Sequence, residues 1–132
     1  MQAYLWVGLG SALGGMARFF CAEWAARLWG ADFPWGTLLV NVAGSFAAGV
    51  LVALAGPTGK PLLGHTAQQF AVVGFVGGYT TFSAFSLQTL GLLRDGAWAK
   101  AGGNVAVSVV LCLIAVALGY WLAQTINDAR AT

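Results

Sequence analysis

Gly74-Phe75-Val76-Gly77-Gly78-Tyr79-Thr80-Thr81-Phe82-Ser83-Ala84-Phe85 lies inside a long apolar run, and its reading decides the fold. Adjacent glycines and adjacent β-branched threonines are poor helix formers. Concentrated in mid-run, they predict a membrane helix that breaks there. A break frees backbone groups that lipid cannot satisfy, so such breaks occur where the freed groups face protein, water or an ion. The stretch is therefore the first candidate for function.

The rest of the chain supports a membrane setting. Of 132 residues, 59% are hydrophobic and 8% charged, against about 25% charged in a soluble domain. Mean hydropathy is +0.79. The length allows a single membrane domain over residues 1–132. A net charge of +2 with no basic cluster gives nucleic-acid binding no support. Cys21 and Cys112 sit in apolar segments and read as small hydrophobes. With His65 the lone histidine, no zinc or haem pattern exists. The first apolar run has no basic leading region and no small-residue cleavage site, so it is expected to stay as a span.

About 20 apolar residues cross a bilayer core, and four stretches qualify: Tyr4 to Trp24, Gly36 to Ala55, Thr66 to Leu93 and Ala101 to Gln124. The expected fold is all-α, an integral membrane four-helix bundle with a broken third helix. Asp32 to Gly36 reads as a turn, Gly56 to Pro61 as a loop and Arg94 to Lys100 as a short link. Trp6, Trp24, Trp29, Trp35, Trp98 and Trp121 fall near span ends, the pattern of interfacial anchors. Lys60 and Arg130 fall on one side of the membrane, and Arg18, Arg27, Arg94 and Lys100 on the other. That bias is too small to fix orientation, so the chain can insert both ways and pair antiparallel. Small residues at four-residue steps, Gly10/Gly14, Ser45/Gly49 and Gly74/Gly78, predict close helix contacts. Four helices enclose little space, so a transport site is expected to need a second copy, a homodimer.

Thr37, Asn41 and Ser45 share one face of the second span, and Asn104 and Ser108 one face of the fourth. They read both as interhelical hydrogen bonds and as a polar track along a narrow route. No Asp, Glu, Lys or His lies in the middle of a span, so the usual proton relay and cation-selecting ring are missing. A route lined by amides, hydroxyls and aromatic edges favours a small anion or a neutral solute. Phe82 and Phe85 project from one face just beyond the break and read as packing residues or, through their positive ring edges, as contacts for an anion. Arg18, near the end of the first span, reads as an anchor or as an electropositive vestibule that gathers anions. No nucleophile and base are paired, so an enzyme is not expected.

These residues also carry a resemblance. Gly14-Gly15-Met16-Ala17-Arg18, Trp35 to Phe46 and Gly74 to Phe85 resemble, in order and spacing, three motifs of the fluoride channels of the Fluc/CrcB family. The resemblance implies a fluoride-selective channel of the cell membrane, an antiparallel dual-topology homodimer with two pores that passively exports fluoride. It implies pore roles for Asn41, Phe82, Phe85, Ser83, Thr37, Asn104 and Ser108, and a vestibule role for Arg18. It also implies a structural Na⁺ at the dimer centre, held by the backbone carbonyls of Gly77 and Thr80 from both copies. Ala84 departs from the threonine more usual in the third motif; if that hydroxyl lines the ion path, one hydrogen-bonding station is lost or altered here. The rival readings are a small four-span drug exporter, which needs a membrane-embedded carboxylate that Glu23 sits too near a span end to supply, and a purely structural bundle subunit.

Overall fold

A computed structural model of the chain describes residues 1–55 and 62–131, the last two by backbone alone. The expected loop from Gly56 to Pro61, with Lys60, lies outside the described residues, as does the side chain of Arg130. Helix α1 spans Gln2–Trp29 and α2 Trp35–Leu54. The third span is composite: α3 (His65–Gln68), a π-helical stretch (Gln69–Val76), α4 (Gly77–Tyr79), a break at Thr80 and Thr81, then α5 (Phe82–Arg94). Helix α6 runs Trp98–Ala131. Four helical stretches are long and apolar enough to cross a membrane, and no strand occurs among the described residues. The chain is a multi-pass membrane protein.

Helices α1 and α6 run past the apolar limits expected from sequence, which end near Trp24 and Gln124. Hydropathy marks where lipid ends, whereas backbone hydrogen bonding continues into the interface. Around the end of its apolar part α1 carries Glu23 and Arg27, one turn apart and 3.9 Å from each other. That pair is exposed and adds little stability. The helix stops at Gly30, whose φ of 80° suits a residue without Cβ. Trp24, Trp29, Trp35 and Phe33 gather there in T-shaped and tilted pairs, with centroids 4.6–6.4 Å apart, as an interfacial anchor would.

Backbone contact between small residues holds the bundle. A Cβ added to Gly10 would strike the Phe70 carbonyl, and one on Gly14 the Phe75 carbonyl. From the other side, a Cβ on Gly78 would lie 2.5 Å from the Ser11 carbonyl. The first half of the third span thus lies directly on α1. In lipid such packing contributes dispersion contacts that larger side chains would prevent. Ser11 Oγ donates to the Gly74 carbonyl at 3.3 Å, inside the π-helical stretch. Helices α2 and α6 share the most extensive contact, where Gly49 meets the Val116 carbonyl and Gly119 the Phe46 carbonyl. Gly10/Gly14 and Gly74/Gly78 therefore behave as expected. Gly49 packs on the α6 backbone as Gly119 packs on that of α2, while Ser45 faces a cleft instead.

The break is narrower than the sequence suggested. Gly77 and Gly78 remain helical, Gly77 at φ −61°, ψ −38°. Thr80 (φ −79°, ψ 156°) and Thr81 (φ −152°, ψ 111°) leave the helix. For Gly78, close packing on Ser11 offsets the poor helix propensity of glycine, about 1 kcal/mol. The threonine hydroxyls instead bond to nearby backbone and compete with the helix.

Candidate ion pathway

A cleft of about 410 Å³ opens beside the break, walled by α2, α5 and α6. Its walls are mostly apolar. The polar groups on them come from Asn41, Ser45, Thr80, Thr81 and Ser108, and two phenylalanine rings, Phe82 and Phe85, complete the wall.

The main chain at the break is held from two directions. Asn41 Nδ2 donates to the Thr81 carbonyl at 3.0 Å, and the Thr81 N–H donates to Asn41 Oδ1 at 2.7 Å. Thr80 stays tied to the preceding turn, its N–H and its hydroxyl both donating to the Val76 carbonyl at 3.0 Å. Thr81 is the N-cap of α5, its Oγ1 accepting from the Ala84 N–H at 3.2 Å. Capping of this kind contributes about 1 kcal/mol. Ser83 Oγ shares a hydrogen bond with the same hydroxyl at 3.2 Å.

From that start α5 carries the two rings, with centroids 5.2 Å apart and planes tilted by 44°. Phe85 is 8% exposed, whereas Phe82 is 77% exposed. Behind Phe85 runs a directed polar string. Ser108 Oγ donates to Asn104 Oδ1 at 3.4 Å, Asn104 Nδ2 to Thr89 Oγ1 at 2.9 Å, and Thr89 Oγ1 to the Phe85 carbonyl at 2.8 Å. Asn104 is 1% exposed and does not line the cleft. Its amide pins α5 to α6. The helix ends at Gly96 (φ 73°), where Gly96 N–H reaches the Leu93 carbonyl and Ala97 N–H the Leu92 carbonyl, the paired bonds of a Schellman cap.

Asn41, Phe82, Phe85 and Ser108 therefore meet in one cleft, while Thr37, Ser83, Asn104 and Arg18 do not line it. Thr37 is buried one turn before Asn41. Arg18 is half-exposed on α1. Sequence reasoning missed Thr89, a solitary threonine with no helical-face partner, and gave Cys112 no place on the cleft wall, where it lies. Thr81 carried a signal, since it opens the motif, but its role as cap and anchor point did not show.

Residues 5–120 match the family described as "CrcB-like protein, Camphor Resistance (CrcB)". The chain belongs to the CrcB family. Proteins named "Fluoride-specific ion channel FluC" from Opitutus terrae and Methylocella silvestris are each 51% identical to it. The first aligns over 100% of both chains, the second over 96% of this chain and 97% of its own. "Fluoride-specific ion channel FluC 2" of Rhodopseudomonas palustris is 52% identical over 96% of both. These CrcB relatives bear out the family resemblance and the expectation of a channel and not an enzyme.

Proposed function

We propose that this chain conducts fluoride passively across the membrane as an antiparallel homodimer, lowering the fluoride concentration inside the cell. The observation that carries the reading is the meeting of the break, Asn41 and the two phenylalanines in one cleft whose outer ring, Phe82, is 77% exposed. A second copy would cover that ring and close the open wall. The choice of fluoride among small anions is supported by the full-length relatives named as fluoride channels. Fluoride is a small, strongly hydrated ion, and a narrow route must replace its water with closely spaced donors. Asn41, the positive ring edges of Phe82 and Phe85 and, once its O–H turns away from Asn104, Ser108 supply such groups without a fixed charge. Membrane potential drives the anion outward, and no ATP or coupling ion is needed.

A structural Na⁺ fits the residues at the break. In an unbroken helix the Thr81 N–H would bond to the Gly77 carbonyl; here it bonds to Asn41 instead. That frees the Gly77 carbonyl from this bond, and Thr80 is extended. Among the described residues no group of three His, Cys, Asp or Glu occurs, so carbonyl oxygens are the donors that suit a hard cation. The Gly77 and Thr80 carbonyls of two antiparallel copies would hold Na⁺, which offsets their dipoles.

Purified protein in liposomes, followed with a fluoride electrode, tests this reading. Rapid fluoride efflux is expected once a potassium ionophore supplies counter-flux, with negligible chloride passage. Efflux that requires a pH gradient, and not charge balance alone, would overturn the channel. Activity should weaken when Na⁺ is removed, and equal activity in Li⁺ or a large organic cation would overturn the Na⁺ site.

A further inference from the structure

Where a helix breaks, the residue at the break loses its ladder partners and both its main-chain groups need new ones. Thr81 is 7% exposed, so water is a poor substitute. Both of its groups are taken by one side chain 40 residues away in sequence, with Oδ1 accepting from the N–H and Nδ2 donating to the carbonyl. An adjacent strand pairs with a residue in this way, and here an amide does so alone. Few side chains can copy it. The clamp needs a planar group with a donor and an acceptor side by side, on a stem of one methylene. Aspartate keeps the acceptor and loses the donor, serine offers a single atom, and glutamine has the right head on a longer stem.

We infer that Asn41 is a positioning residue: it clamps the main chain of Thr81 across the break and so fixes the start of α5. Thr81 is also the cap of α5, and Phe82 is the first residue of that helix. The clamp therefore sets where Phe82 and Phe85 point. With one amide hydrogen engaged, the donor that Asn41 retains is its second N–H. The bond that Oδ1 accepts from the Thr81 N–H polarises the amide and strengthens that remaining N–H as a donor. A free pore amide would instead turn both its donors toward an ion. The effect on conduction rests on the channel reading above; the clamp itself does not.

Hydrogen exchange at the Thr81 amide separates the two. In the full chain labelled with ¹⁵N-threonine and held in lipid nanodiscs, Asn41→Ala should speed Thr81 exchange about tenfold or more, the factor expected for one lost buried hydrogen bond. Exchange at Thr89 in α5 and Thr37 in α2 should stay within about twofold. Asn41→Asp, which keeps the acceptor, should leave Thr81 protected and carries the test if the alanine variant does not fold. Its fluoride efflux should still fall, because a carboxylate would face the Thr81 carbonyl. A Thr81 backbone ester, which lacks the N–H, should lower efflux by itself, and the losses from the ester and from Asn41→Ala should combine to clearly less than their product. Unchanged Thr81 exchange in Asn41→Ala, fast exchange in Asn41→Asp, or full additivity with the ester would each overturn the clamp. Absence of fluoride efflux from the unaltered protein overturns the channel reading and leaves the exchange result standing.

Discussion

The two halves of the third span are held in opposite ways. Residues 65–79 lie on α1 with glycines at the contact, so backbone meets backbone and no room remains for a Cβ at Gly78. Residues 82–94 lean mainly on α6. They are fixed by polar pins: Thr81 at the N-terminus, Thr89 to Asn104 in the middle and Gly96 at the end. The first half is positioned by a lack of side chains and the second by hydrogen bonds. A dispersion contact spread over several turns tolerates no insertion, whereas a few polar pins fix direction while leaving one apolar face open. Phe82, Leu87 and Leu90 lie on the exposed side of that second half.

Substitutions placed in the two halves sharpen this contrast. The largest effect is expected from Gly78→Leu, where overpacking costs at least about 1–3 kcal/mol and the Ser11 backbone cannot yield. Loss of the monodisperse peak in size-exclusion chromatography checks it, and a normal peak would remove backbone contact as the basis of the first half. Phe82→Ile and Phe85→Ile should fold and keep their oligomeric state, yet reduce fluoride efflux about a hundredfold or more, roughly 2.7 kcal/mol of barrier. Undiminished efflux would take either ring out of the pathway.

Thr89→Val leaves the buried Asn104 amide without its acceptor. It should lower stability by about 1–3 kcal/mol, read as a shift of the unfolding midpoint in denaturant. A midpoint that stays in place would mean α5 is held by something other than the Thr89–Asn104 pin. The smallest effect belongs to Gly91→Ala in the second half, where a Cβ would meet nothing within 4 Å. A gain of about 0.4–1 kcal/mol is expected from a less flexible unfolded chain. A loss there would show that the second half is as tightly packed as the first.

Much of this was legible before any tertiary structure. Composition required membrane helices, and hydropathy delimited four of them. Asn41, Phe82, Phe85 and Ser108 were singled out by their places on helical faces and in a motif, and all four line one cleft. Asn104 shows where such reasoning stops. Its four-residue spacing from Ser108 gives a shared face, but not the neighbour that face meets, and that neighbour is Thr89. The π-helical stretch at Gln69–Val76 had no sequence signal, because its residues are mostly ordinary apolar ones and its support, Ser11, lies on another helix.

By itself the sequence determined that the chain carries four stretches long and apolar enough to cross a membrane and that the third fails somewhere between Gly74 and Phe85. Hydropathy and helix propensity are properties of residues and of short windows, so they can be summed along the chain. The tertiary structure alone decided that the glycines stay helical, that the two threonines leave the helix and that Asn41 catches the second of them. Those outcomes depend on what lies opposite each group across the bundle: the Ser11 backbone beside Gly78, and an amide beside Thr81. A buried hydrogen bond needs its partner in place, and the partner here is 40 residues away in the chain.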